Sequence, residues 1–197
     1  MFSISAMKST LIGLMTSLLL TSTLMPSEAR AADPVTHLDW ARLLVNTISP
    51  AQNDYESNPT EVRWKGYDGN TESYNRSRCS SFFTSLLVKA YDEDLTGWLG
   101  CSSPIANTYH DAIEDEDGFI RITDIAELQV GDVLALAYND AGCTEVACGS
   151  VKTCTNSGHV MIVSSTPALR TATAPVIANT SQYELKVIDS SRLSRLR

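Results

Sequence analysis

Positive charge is scarce in this chain: 15 lysines and arginines stand against 23 aspartates and glutamates in 197 residues, a formal net charge of −8. With a sequence pI of about 4.8, it lacks the general attraction that holds a protein to nucleic acid or anionic lipid, since both require cations to neutralise phosphate. No basic patch in the body of the chain restores it locally. Long apolar runs are equally scarce. After the first thirty residues, none approaches the roughly twenty needed to cross a bilayer. Five cysteines are too few for a disulfide-dense miniprotein, no segment repeats, and 43% hydrophobic with 19% charged residues excludes a disordered chain. What remains is one acidic domain of ordinary core-forming capacity.

The single apolar run lies at the N-terminus. Lys8 precedes the uncharged stretch Leu11 to Met25, followed by Pro26 and the small-residue sequence Ala29-Arg30-Ala31. That order of parts is a secretory signal peptide, and a run of about fifteen residues is short for a bilayer span. The expectation is a signal peptide over 1–31 and a single domain over 32–197. Cleavage would remove Lys8, Glu28 and Arg30, leaving 13 basic and 22 acidic residues. No cysteine follows the run to carry a lipid, so no stable membrane insertion is expected after cleavage. The domain would fold in the periplasm or outside the cell, where thiols oxidise.

Within the domain, Asp33-Pro34 marks a helix start, and Leu38, Ala41, Leu44, Val45 and Ile48 keep helical spacing to Ser49-Pro50. Residues 61–64 suit a short strand, and 66–77 are polar and turn-rich. Cys79 to Tyr91 places Phe82, Phe83, Leu86, Leu87 and Ala90 on one face of a second helix. A loop over 97–104 holds Cys101, and 105–113 suit another helix. The turn Gly131-Asp132 opens a buried strand over 133–138. A polar insertion over 139–158 carries Cys143, Cys148 and Cys154. Strands are expected over 159–163 and 183–189. Helices first and strands afterwards predict an α+β fold with an antiparallel sheet.

Cys79 and His159 are the leading chemical candidates. A thiol at a helix N-terminus meets the positive end of the dipole and unpaired amide hydrogens, which favour thiolate. An ordinary cysteine is only a few per cent thiolate at neutral pH, so a nucleophile also needs an adjacent base. His159 opens a strand, a rigid mount for that base, and a third polar group must orient the imidazole. Asp189 ends the next strand, where antiparallel pairing sets such residues side by side. Setting Cys79 aside leaves Cys101, Cys143, Cys148 and Cys154, an even set able to form two disulfides in any of three connectivities.

Three segments in order carry a resemblance. Arg78-Cys79-Ser80-Ser81-Phe82 resembles the Asp-Cys-Ser-Gly-Phe nucleophile motif of the NlpC-type papain-like cell-wall peptidases and the related CHAP amidases. Residues 125–133, ending in Val130-Gly131-Asp132-Val133, are similar to the turn and strand those proteins place before the histidine. Gly158-His159-Val160-Met161-Ile162-Val163 is similar to their His-Val-Gly-Ile-Tyr strand. The match spans roughly residues 62–190. It implies a papain-like fold, with N-terminal helices and the nucleophile-bearing helix packed on a small antiparallel sheet. It also implies Cys79 as nucleophile, His159 as base and Asp189 as orienting residue, with Asn179 and Gln182 as alternatives at the third position. The Cys79 amide, Ser80 and Trp64, which precedes Lys65-Gly66, would line the oxyanion and substrate site. The implied substrate is a cell-wall or other peptide amide, with no cofactor. Arg78 and Ser81 depart from the family's acidic residue and glycine, so an inactive, disulfide-stabilised binding module of the same fold is the rival reading. The chain ends eight residues after Asp189 where related sheets usually continue, so it is either truncated or closed by a short basic tail.

Two metal readings compete on spacing alone. Cys143, Cys148, Cys154 and His159 are a possible zinc set, although export favours disulfides. Asp115, Asp117, Gly118 and Asp124 match part of a calcium loop whose first position falls on Ile113, so a solvated acidic turn is expected. No metal is expected. His37 and His110 carry no partner signal.

Overall fold

The computed structural model describes residues 33–138 and 157–191. The expected leader, Cys143, Cys148, Cys154 and the last six residues lie outside them. Helix α1 runs His37–Thr47, close to expectation. Its start is set by Thr36 and not by Asp33-Pro34. The Thr36 hydroxyl accepts from the Asp39 N–H at 3.2 Å, and the Asp39 carboxylate accepts from the Thr36 N–H at 3.0 Å, a reciprocal cap for the first turn. Those bonds, the Thr36 N–H first among them, hold the Asp39 carboxyl below its ordinary value. Inward, α1 buries Leu38, Trp40, Ala41 and Leu44.

A small sheet follows, formed by β1 (Asn53–Asp54), β2 (Glu61–Arg63) and β3 (Tyr74–Arg76) in the order β1-β3-β2. Its β1–β3 pair is parallel and its β2–β3 pair antiparallel. Strand β3 corrects the reading of 66–77 as turn alone. Its inward residue is Asn75, 4% exposed, so the strand shows no apolar alternation to read.

Helix α2 occupies Cys79–Tyr91, the expected span, and buries Phe82, Phe83, Leu86 and Leu87. Helix α3 (Leu95–Leu99) occupies the start of the expected 97–104 loop, capped by the Asp94 carboxylate accepting from the Thr96 N–H at 3.1 Å. Helix α4 runs Ala106–Glu114. No helix among the described residues is long and apolar enough to cross a membrane.

The second sheet contains β4 (Val133–Ala137), β5 (Gly158–Val163) and β8 (Val187–Ile188), antiparallel in the order β4-β5-β8. A separate hairpin joins β6 (Ala168–Arg170) to β7 (Gln182–Glu184). The single strand expected over 183–189 is therefore two. The break falls at Lys186, whose carbonyl accepts from Ser164 N–H at 2.8 Å while its N–H donates to the Ser165 hydroxyl at 2.8 Å. This switch of partners sends 182–184 to β6 and 187–188 to β5. Strand β4 is half-buried, not fully buried as expected. The architecture is mixed α+β with small, mostly antiparallel sheets.

Helices α1 and α2 pack on each other, and α2 and α4 pack on β5. The shared core includes Trp40, Phe83, Leu86, Tyr109, Val160 and Ile162. Burial of each large side chain contributes roughly 1.5–3 kcal/mol. Tyr109 is fully buried, with its hydroxyl 2.8 Å from that of Thr84. Burial pushes its phenol up to about 12, against the Thr84 bond, which lowers it. The unfolded phenol ionises near 10, so stability from this group is complete below pH 10 and is lost as pH rises through 12. Urea titrations at pH 8 and pH 11.5 should lose up to about 2 kcal/mol more in the wild type than in Tyr109→Phe. Equal alkaline losses would show that Tyr109 does not titrate this way.

Candidate active site

Cys79 sits in the first turn of α2, 7% exposed, and is the free thiol among the described residues. At that position its backbone N–H has no intrahelical carbonyl to bond, as for the first amides of any helix. Ser80 follows it, half-buried. The helix begins here because Arg78 is extended and its N–H donates to the Ser81 hydroxyl at 2.9 Å. Ser81 thus serves as an N-terminal cap where the resembling motif has glycine. The Arg78 guanidinium lies 3.6 Å from the Glu56 carboxylate. That carboxyl is held below its usual range chiefly by the Ser57 N–H, with Arg78 and Arg76 adding to the effect.

His159 is the second residue of β5, opposite Leu136 of β4. Its neighbours Val160 and Ile162 are each 1% exposed, so the strand buries alternate residues and leaves His159 half-buried on the other face. Ile162 pairs with Ile188 and Val163 with Val187. Continuing that register puts Asp189 opposite Met161, diagonal to His159 on the same face. The His159 Nε2 and Asp189 Oδ2 atoms are 2.5 Å apart, and both side chains are 21% exposed. A short contact of this kind is a charge-assisted bond whenever the ring is protonated. It also fixes the ring's orientation. With Nε2–H donating to the carboxylate, Nδ1 is the nitrogen left to accept a proton. The Ser191 hydroxyl donates to the other oxygen, Asp189 Oδ1, at 3.3 Å.

The residue after Asp189 reaches the segment before Cys79. Ser190 donates its hydroxyl hydrogen to the Ser77 carbonyl at 2.8 Å. Ser77 is two positions before Cys79, a reach of at most about 7 Å along the chain. Asp189 and Ser190, consecutive in sequence, thus hold the imidazole and the lead-in to the thiol. Sequence patterns do not reveal this link, because Ser77, Asn75 and Ser190 are buried polar residues whose value depends on partners distant in the chain.

The remaining candidates lie as follows. Trp64 is 4% exposed, its indole N–H donates to the Trp40 carbonyl at 2.9 Å, and its ring meets that of Trp40 edge-on. Cys101 is buried beyond α3. Asn179 is exposed with φ +62, in a turn, while Gln182 bonds the Thr173 backbone at 2.9 Å and 2.8 Å. Both belong to the β6–β7 hairpin region, and Asp189 is the one of the three bonded to His159. His37, for which the sequence carries no partner signal, has a structural role: Nδ1 is 2.7 Å from the Tyr91 hydroxyl and Nε2 is 2.8 Å from the Gly131 carbonyl. It ties α1 to the end of α2 and to the turn before β4. His110 lies 3.0 Å from the Asp111 carboxylate. A cleft of about 900 Å³ lies between the C-terminal half of α2, α4 and β4, and Cys79, His159 and Asp189 do not line it.

No model of a known protein family matches the sequence, and no solved structure matches the fold. An uncharacterized protein of Acanthamoeba polyphaga mimivirus is 28% identical over 137 residues, 67% of this chain and 56% of the viral protein. The chain spans little more than half the length of the curated relative it matches.

Proposed function

We propose that this protein is an exported, papain-like cysteine hydrolase that cleaves an amide bond, with bacterial cell-wall peptide as the substrate suggested by the NlpC and CHAP resemblance. The observation that carries the reading is the 2.5 Å His159–Asp189 pair, formed in the segment that bonds the approach to a free thiol at a helix N-terminus. Nδ1 of His159 takes the proton from Cys79, and the sulfur attacks the carbonyl carbon. The Cys79 N–H and the start of α2 face the oxygen that gains charge. The protonated imidazole, balanced by Asp189, gives its proton to the departing amine and leaves a thioester. Water, deprotonated by His159, then hydrolyses the thioester and restores the thiol. These steps use side chains and backbone alone. The acidic chain gains little from charge in gripping an anionic wall polymer, so recognition rests on shape and specific polar contacts. Export is supported by the residue order of 1–31, and it would let Cys101 pair with a cysteine of the 139–158 insertion.

The low exposure of Cys79 favours the rival reading, a binding module that retains the fold without catalysis. Iodoacetamide labelling at pH 7, mapped by mass spectrometry, separates the two. The hydrolase is expected to label first at Cys79, and His159→Ala should slow that labelling about tenfold or more. A Cys79 no more reactive in wild type than in His159→Ala would overturn the hydrolase reading.

A further inference from the structure

A closed polar circuit links strand β3 to the residues that precede Cys79 and follow Asp189. Asn75 Nδ2 donates to Asn53 Oδ1 at 2.7 Å and to Ser190 Oγ at 3.4 Å, while Asn75 Oδ1 accepts from Ser77 Oγ at 2.5 Å. Ser190 Oγ in turn donates to the Ser77 carbonyl at 2.8 Å. Both amide hydrogens and both hydroxyl hydrogens therefore have acceptors, which fixes the amide's orientation. Ser77 is 0%, Asn75 4% and Ser190 6% exposed, so water does not substitute for any missing partner. Adding to this, the Ser77 N–H donates to the Asp54 carbonyl at 3.3 Å.

Apolar side chains could fill the same volume, often at no loss of stability. Hydrogen bonds differ from them in being directional, and these converge on two points: the residue two before Cys79 and the residue after Asp189. We infer that Asn75, Ser77 and Ser190 form a positioning network that holds the Cys79 end of α2 in register with the His159–Asp189 pair. This inference rests on the hydrolase reading above. The three are positioning residues: none is placed against substrate, and each acts through the nucleophile helix or the strand that ends in Asp189. Losing the Ser190 hydroxyl would leave the Ser77 carbonyl and one Asn75 hydrogen unpaired in the core, and both would be free to pull the helix start toward other partners.

The test uses the full chain and the rate of iodoacetamide alkylation of Cys79 at pH 6.5 and pH 10. At pH 10 an ordinary thiol is already ionised, so the rate reads access; at pH 6.5 it reads activation by the histidine. Ser190→Ala is expected to lower the pH 6.5 rate about tenfold with the pH 10 rate unchanged, and Ser190→Thr, which keeps the hydroxyl, should restore it. A purely structural role would give the opposite sign, because a loosened helix start exposes the thiol and raises the pH 10 rate. Equal pH 6.5 rates in wild type and Ser190→Ala overturn the network's role while the hydrolase reading stands. If wild type and His159→Ala alkylate alike at pH 6.5, both fall. Should Ser190→Ala fail to fold, Asn53→Ala decides, since Asn53 is the exposed end of the circuit. A drop of about threefold at pH 6.5 supports the network, and no drop overturns it.

Discussion

Cys79→Ala is expected to remove amide hydrolysis almost completely, a loss on the order of 10⁶-fold in kcat if the thiol supplies the nucleophile. His159→Ala should approach the same floor, because a thiol without its base and an amine without its proton donor fail together. Asp189→Ala should fall between, at roughly 10²–10⁴-fold. The carboxylate is not consumed, but it orients the ring through Nε2 at 2.5 Å and balances the imidazolium. Asp189→Asn keeps an acceptor oxygen without the charge, so it should retain more activity than Asp189→Ala. The measurement is release of new amino groups from cell-wall peptides by the purified chain. Activity that survives Cys79→Ala would dismiss the nucleophile assignment. If instead His159→Ala is dead and Asp189→Ala equals wild type, Asp189 is only a neighbour of the ring.

The parts of this arrangement that rest on apolar periodicity were legible in the sequence. Helix α2 lies at Cys79–Tyr91 because Phe82, Phe83, Leu86 and Leu87 recur at helical spacing and are all buried. Strand β5 likewise announces itself by apolar residues bounded by glycine. Asp189 could be named from the end of a nearby strand and from the resemblance, but its hydrogen bond to His159 depends on a register that no local pattern contains. Where polar residues face inward the signal disappears. Strand β3 hides because Asn75 occupies its buried position, and the division of 182–188 hides because the change of partner falls at Lys186, where Tyr183, Leu185 and Val187 still alternate with polar residues. His37 illustrates the same limit from the helix side. Its hydroxyl and carbonyl partners are 54 and 94 residues away, so it could not be distinguished from a solvent-facing histidine. Local propensity therefore sets the elements, and long-range hydrogen bonds set which of their ends meet.

Gly158→Ala should produce the largest loss of stability, and the geometry explains why the residue before His159 is glycine. Gly158 has φ +137, and a Cβ there would lie 1.7 Å from the Leu136 carbonyl oxygen and 2.8 Å from its carbon. These are backbone atoms in the ladder that pairs Ala137 with Gly158 and Leu136 with His159, so no side chain can rotate away to make room. Relief requires β4 and β5 to separate at the position where the imidazole is mounted. The expected cost is about 3–5 kcal/mol, read as a lower urea midpoint. Gly131→Ala is the comparison that isolates the overlap. Gly131 has φ +104 but meets only Leu38 Cδ2, at 3.9 Å, so backbone strain alone should cost about 1–2 kcal/mol there. A Gly158→Ala midpoint no lower than that of Gly131→Ala would mean that the strands accommodate the methyl group. If the larger loss is found, the fraction of Gly158→Ala that remains folded should, on the hydrolase proposal, also lose kcat more than KM, because the displaced group is the proposed base and not a substrate contact.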